Sequence, residues 1–330
     1  MERELALEFV RVTEAAALAS ARLMGRGNKN EADQAAVSAM RAMFDTVQME
    51  GKVMIGEGEK DEAPMLYIGE KLGAGNGPKL DVAVDPVEGT NLVAKGLPNA
   101  LAVLAIAPEG CLLHAPEAYY MNKIATGPIG RDVISIELSA TENLNRLADA
   151  MQKDVSDLVA VILDRPRHKN LIQEVREAGA RVKLITDGDV AAAVAAAQPN
   201  SSVDIAMGIG GAPEGVLAAA ALKCLGGKME GRLLPIDPSK FKSKEEINWD
   251  AHKGEPILTM DDLAKGDDVI FAATGITDGG MLRGVRFTKE IAQTQSVVMR
   301  SQTGTVRTVD ANHRLDKKPE VFQKLVGYKK

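Results

Sequence analysis

Between residues 155 and 224 the chain alternates short apolar runs with helical stretches: LVAVIL (158–163), helical spacing over 168–178, VKLIT (182–186), an alanine-rich stretch at 190–197, VDIAM (203–207), and helical spacing over 214–224. A βαβαβα order of this kind cannot close as hairpins, because parallel strands need long crossovers. It predicts a parallel sheet covered by helices on both faces. At 330 residues the chain is about twice an ordinary domain. We expect an N-terminal α+β half over 1–150 and a C-terminal α/β half over 151–330.

The first half predicts two helices, 2–24 and 30–48, separated by GRGNKN (25–30). A strand follows near 52–55, a helix near 62–72, and strands at 81–85 and 100–107. Beyond the alternating region, 236–256 is polar and reads as a loop or insertion. Strands are expected near 269–273 and 296–300, and the basic end KKPEVFQKLVGYKK (317–330) reads as frayed.

Charge and composition exclude several functions. The net charge is −6, from 40 basic and 46 acidic residues, and aromatics make up 3%, with a single Trp at 249. A nucleic-acid partner would require clustered positive charge and stacking surface that this chain lacks. No apolar run is long enough to cross a bilayer, and no leader follows Met1. Cys111 and Cys224, far apart and outside any CxxC, read as reduced structural thiols of a cytoplasmic protein.

Carboxylates at strand ends carry the chemistry. GEGEKDE (56–62) crowds Glu57, Glu59, Asp61 and Glu62 between glycines, a site for cations or a solvated acidic loop. In DVAVDPVEGT (81–90) a strand delivers Asp85, then Glu88, Gly89 and Thr90, where open α/β sheets bind ligands. The alternative there is an Asx turn with Thr90 as a helix N-cap. GIGGAPEG (208–215) runs a strand into a glycine turn and sets Glu214 at a helix start. Oxygen ligands without His or Cys suit Mg²⁺ or Mn²⁺ rather than zinc. The histidines at 114, 168, 252 and 313 form no metal motif.

DPVEGT resembles the signature of the lithium-sensitive, metal-dependent phosphatase superfamily, which includes inositol monophosphatases and fructose bisphosphatases. Together with GRGNKNEAD (25–33), GEGEKDEAPMLYIGE (56–70), DRPRH (164–168), DGDV (187–190) and GIGGAPEG, it makes nearly the whole chain resemble the class II fructose-1,6-bisphosphatases. The resemblance implies a layered α/β/α/β/α sandwich. It assigns metal binding (Mn²⁺ or Mg²⁺) to Asp33, Glu57, Asp85, Glu88 and Glu214. Taken alone, Lys29 and Asp33 also suit a plain i,i+4 ion pair. Thr90 would orient the attacking water, with Lys29 and Asp61 in support. Substrate contacts fall on Glu88, Gly89, Thr90, Tyr120, Arg165, Pro166, Arg167, Asp187, Gly188, Asp189 and Gly211. Arg165 and Arg167 can grip a phosphate in forked geometry, and Asp187 and Asp189 can accept from sugar hydroxyls. A Tyr119–Tyr120 doublet precedes Met121, and Tyr120 is the one assigned.

The implied activity is removal of the 1-phosphate of fructose 1,6-bisphosphate in gluconeogenesis, by a homodimer or homotetramer. Sedoheptulose 1,7-bisphosphate and inositol monophosphate are alternative substrates. DGDVA (187–191) also imitates the aspartyl-phosphatase motif D-x-D-x-T/V, but Ala191 breaks it. A non-catalytic binder of sugar phosphates or nucleotides would use the same glycine-rich strand ends.

Overall fold

The computed structural model describes residues 1, 4–56, 66–116, 118–199, 201–237, 241 and 247–328. Helix α1 (Leu5–Ala21) is buried almost all round, Phe9, Val12, Ala16 and Leu18 being fully enclosed. After the GRGN break, Asn28 caps α2 (Lys29–Phe44) by accepting the Glu31 N–H. Ala32, Ala36, Met40 and Phe44 repeat every fourth residue and give α2 one buried face. Both helices share a core with β1 (Glu50–Ile55), β3 (Lys79–Glu88) and β4 (Leu101–Pro108), through Val53, Val82, Val84, Leu104 and Ile106. β2 (Lys71–Leu72) is short, and α3 (Thr90–Lys95) follows β3 directly. The helix expected near 62–72 is not found over 66–72, where a turn and β2 stand; the rest of that stretch, with Glu57, Glu59, Asp61 and Glu62, lies outside the described residues.

The chain then builds a second sheet from β5 (Tyr120–Thr126), α4 (Ala140–Met151), β6 (Val159–Leu163), α5 (Lys169–Glu177), β7 (Arg181–Ile185), α6 (Asp189–Ala197), β8 (Ile205–Gly211), α7 (Ala212–Leu225), β9 (Lys228–Leu234) and α8 (Met260–Leu263). The strand order is β7-β6-β8-β5-β9. β7, β6 and β8 are parallel as predicted, whereas β5 runs antiparallel to both β8 and β9, so the sheet is mixed. Alternation along β6 sorts the layers. Ala160 and Ile162 face a core with Leu144, Leu147, Ile172 and Val175, while Val161 joins Ala192 and Ala196 of α6.

β10 (Ile270–Gly275) returns to the first sheet and inserts between β4 and β12 (Ile291–Arg300), which is flanked by β11 (Arg286–Phe287) and β13 (Thr305–Arg314). The compact units are therefore Met1–Leu112 with Asp267–Lys330, and Leu113–Gly266, rather than halves divided at 150. Sequence order suggested contiguous halves; strand pairing at Ala105–Phe271 and Val103–Ala273 overrides it. The end of the chain is docked rather than frayed. Helix α9 (Glu320–Leu325) sets Phe322 and Leu325 against Ala15, Ala19 and Ala39, and Val326 is fully buried. Each unit is a sheet with helices packed on it, and the α/β class is as expected.

Candidate active site

In the first unit, β3 is buried from Leu80 to Glu88 although it carries three carboxylates. Asp81 is accounted for structurally: its Oδ2 accepts the N–H groups of Cys111 (2.8 Å) and Leu112 (3.0 Å). Asp85 and Glu88 are each 2% exposed, and a carboxylate oxygen of each lies within 4.8 Å of the other. Like charges so close and so buried are stable only beside a cation or a shared proton. Asp85 Oδ1 accepts the Val87 N–H at 2.9 Å, so the Asx turn is real, and the ladder with β4 shifts register between Asp85 and Glu88. Thr90 is not the N-cap. Gly89 takes that place with φ +91°, a conformation L residues avoid, and Thr90 is the half-buried first residue of α3.

Asp33 stands on α2, and no ion pair joins it to the exposed Lys29 among the described residues. Its Oδ1 is buried with no hydrogen-bond partner there, and burial pushes its pKa up to about 6. An orphaned buried carboxylate oxygen is what a cation ligand looks like without its ion.

In the second unit, β6 leads to β7 on one side while β8 lies on its other side, so the strand order reverses between β6 and β8. Ligand crevices open at such switch points, at the C-terminal ends of the strands. Pairing of β6 with β8 holds only at Ala160–Ile205 and Val161–Ala206. Beyond it, both backbone groups of Ile209 are capped by the turn that follows β6. His168 Nε2 accepts the Ile209 N–H (2.8 Å), and Arg167 donates to the Ile209 carbonyl from Nε (3.1 Å) and Nη2 (2.7 Å). His168 Nδ1 donates to the Leu163 carbonyl at 2.7 Å, fixing the neutral tautomer, and burial lowers its pKa to about 4. Gly208, at φ +122°, leaves room for the imidazole, since a Cβ there would lie 2.9 Å from Nε2. Arg165 is half-buried and donates to the Asp164 carbonyl at 3.1 Å; Pro166 opens the short turn Pro166–His168.

Across this crevice, Gly210 and Gly211 make space for acids. A Cβ on Gly210 would fall 1.9 Å from Asp189 Oδ2, and one on Gly211 1.8 Å from Glu214 Oε2. Lys123 on β5 bridges the group, donating to Asp189 Oδ2 (2.5 Å) and to the Gly211 carbonyl (2.9 Å). Glu214, in the first turn of α7, has Oε2 buried without a partner among the described residues. Burial and, secondarily, the Asp189 charge raise its pKa to about 7. Gly188, at φ +84°, caps α6, and Asp187 is half-buried just before it. Of the tyrosine doublet, Tyr120 points its ring at Arg167, with the guanidinium 5.6 Å from its centroid, while Tyr119 is 40% exposed.

The second unit thus gathers Tyr120, Arg165, Arg167, Asp189, Gly211 and Glu214 at the ends of β5, β6 and β8. Sequence reasoning gave no role to Lys123, His168 or Trp249. The first two had a signal available: a lysine three residues after Tyr120, just before the apolar Ile124 and Ala125, and a histidine directly after Arg-Pro-Arg.

Buried, under-satisfied carboxylates with hard oxygen donors fit divalent ions of the Mg²⁺ or Mn²⁺ type. In an α/β chain that also carries an arginine-rich turn after β6, such donors are those of a metal-dependent phosphatase. The chain belongs to the bacterial, glpX-encoded fructose-1,6-bisphosphatase family, whose model matches residues 3–313. It is 48% identical over 339 residues to the class 2 fructose 1,6-bisphosphatase/sedoheptulose 1,7-bisphosphatase of Synechococcus elongatus, covering 96% of this chain and 98% of that one. It is 47% identical over 336 residues to the class 2 fructose-1,6-bisphosphatase 1 of Escherichia coli K12, covering 98% and 99%. Among the described residues, no helix is long and apolar enough to cross a membrane.

Proposed function

We propose that this chain hydrolyses the 1-phosphate of fructose 1,6-bisphosphate to give fructose 6-phosphate, as a cytoplasmic homodimer or homotetramer acting in gluconeogenesis. The observation that carries the reading is that Asp33 and Glu214 each have a buried carboxylate oxygen that no described group satisfies. Mn²⁺ or Mg²⁺ would be held by Asp33, Glu57, Asp85, Glu88 and Glu214. When bound, such ions supply a water of lowered pKa and neutralise phosphoryl charge.

The chain's own groups do the rest. The Thr90 hydroxyl orients the attacking water, with Lys29 and Asp61 supporting it. Two N–H groups of Arg167 are spent on Ile209, which leaves its Nη1/Nη2 edge, with Arg165, for the phosphate remote from the scissile bond. Asp187, held behind Gly188, and the Lys123-bound Asp189 accept from sugar hydroxyls, and Gly89, Gly211, Pro166 and Tyr120 shape the walls. Sedoheptulose 1,7-bisphosphate is a second substrate on this reading, supported by the double name of the Synechococcus relative, a fructose 1,6-bisphosphatase/sedoheptulose 1,7-bisphosphatase.

Phosphate release from fructose 1,6-bisphosphate tests the proposal, with Mn²⁺ or Mg²⁺ and with chelator, beside inositol 1-phosphate. Turnover should require metal, favour the bisphosphate and vanish in Glu57→Ala and Asp85→Ala. Chelator-resistant turnover, or a trapped aspartyl-phosphate, would sink it.

A further inference from the structure

The polar stretch near 236–256 has no part in the reading above, yet its described residues are tied firmly to the second sheet. Ile247, Phe241 and Trp249 pack with Ile209, Leu234 and Ile236. His252 Nδ1 donates to the Trp249 carbonyl (2.8 Å), which leaves Nε2 to accept the Asn122 side-chain amide on β5 (3.0 Å). The Trp249 ring is thereby fixed from its own backbone. It meets the Tyr120 ring edge-on, centroids 5.1 Å apart at 76°.

The Arg167 guanidinium lies 4.7 Å from the Trp249 centroid and 5.6 Å from that of Tyr120. Its Nε and Nη2 are tied to Ile209. A guanidinium is held in a plane only if something occupies its face as well as its edge, because its stem is long and rotamer-rich. The aromatic pair supplies that face, and a desolvated cation over Trp is the strong case of the interaction. Burial disfavours the charged guanidinium, so the rings also offset part of the cost of keeping it there.

We propose that Trp249 is a specificity-determining positioning residue: it holds the Arg167 guanidinium so that the free edge meets the phosphate remote from the scissile bond. This rests on the reading of Arg167 as that phosphate's ligand. Arg167 contributes the contact, and Trp249 makes its geometry permanent. Trp249 is, on this account, the clamp that confers preference for a ligand phosphorylated at both ends.

Steady-state kinetics of the intact, metal-loaded enzyme test it, with Trp249→Ala, Trp249→Phe, Arg167→Ala and the Arg167→Ala/Trp249→Ala double variant. For Trp249→Ala we expect KM for fructose 1,6-bisphosphate to rise roughly three- to thirtyfold, the span of a cation–π contact. The inhibition constant of fructose 6-phosphate, which keeps only the remote phosphate, should rise by the same factor, with kcat changed by less than about twofold. Trp249→Phe, which retains a ring face, should recover most of the loss, and Trp249→Ala should add nothing in the Arg167→Ala background. A fall in kcat with KM unchanged, or losses that add in the double variant, would reduce Trp249 to fold support and overturn the inference. Unaltered kinetics in Trp249→Ala would overturn it too. A wild-type enzyme that does not turn over the bisphosphate would instead overturn the substrate reading.

Discussion

Lys123→Met is the sharpest test of the acidic end of β8. Lys123 and Asp189 are 11% and 17% exposed at the side chain and 2.5 Å apart, and the ammonium also satisfies the Gly211 carbonyl. Methionine keeps the volume and removes the charge, leaving the largely buried Asp189 near Glu214 without its ion-pair partner. Breaking a buried pair from one side costs about 3–5 kcal/mol, because the surviving charge stays desolvated. In a unit of this size that corresponds to a fall in Tm of roughly 6–20 °C. Trp249, the chain's single tryptophan, lies in the same unit, so its fluorescence during urea unfolding reports this unit directly. Adding Asp189→Asn to Lys123→Met removes the stranded charge and should recover more than half of the loss. A single-variant cost below about 1 kcal/mol, the range of an exposed pair, would refute the reasoning. So would a double variant whose cost is the sum of the two single ones.

Two further outcomes are expected. In Gly211→Ala the new Cβ must displace Glu214, whose Oε2 lies 1.8 Å from its position; the Mn²⁺ dissociation constant, measured by isothermal titration, should rise at least about tenfold, and an unchanged constant would remove Glu214 from the ligand set. For His168, the folded pKa of about 4 lies below the ordinary 6.5, so the unfolded chain binds the proton first as pH falls. Stability is therefore full above about pH 6.5 and is lost between 6.5 and 4, to a total of about 3 kcal/mol. His168→Gln should flatten the pH slope of unfolding followed by Trp249 fluorescence, and an identical slope in the two proteins would be evidence against the buried neutral imidazole.

The sequence by itself determined the elements whose patterns are local. LVAVIL and VKLIT are apolar enough to be buried strands and short enough not to be helices, and the helical stretch at 168–178 between them and the alanine-rich run at 190–197 after VKLIT read as crossovers, so β6 through α7 was legible. DPVEGT was legible because a strand ending in Asp-Pro with Glu three residues on has few structural uses. What could not be read locally was partnership. β5 and β9 carry polar residues that a single-sequence pattern does not mark as strand, and only their pairing with β8 shows why they extend. The tail looked frayed because it is basic, and only the surface offered by α1 and α2 reveals the buried side of α9.

The division between Leu112 and Leu113, and the return at Asp267, followed from which strand edges were available to β10, a property of the assembled sheet. The same limit applied at the site. Residue types and spacing named Glu214, Asp189 and Arg167 as chemically able, because charge and hydrogen-bonding capacity belong to the side chain. Only the tertiary structure decided that Lys123 neutralises Asp189, that His168 and Arg167 bond the N–H and the carbonyl of one residue, Ile209, and that Gly210 and Gly211 are glycines to make room for carboxylates. Contacts between residues far apart in sequence carry no local signature, since their energy is gained only when the chain has closed on itself.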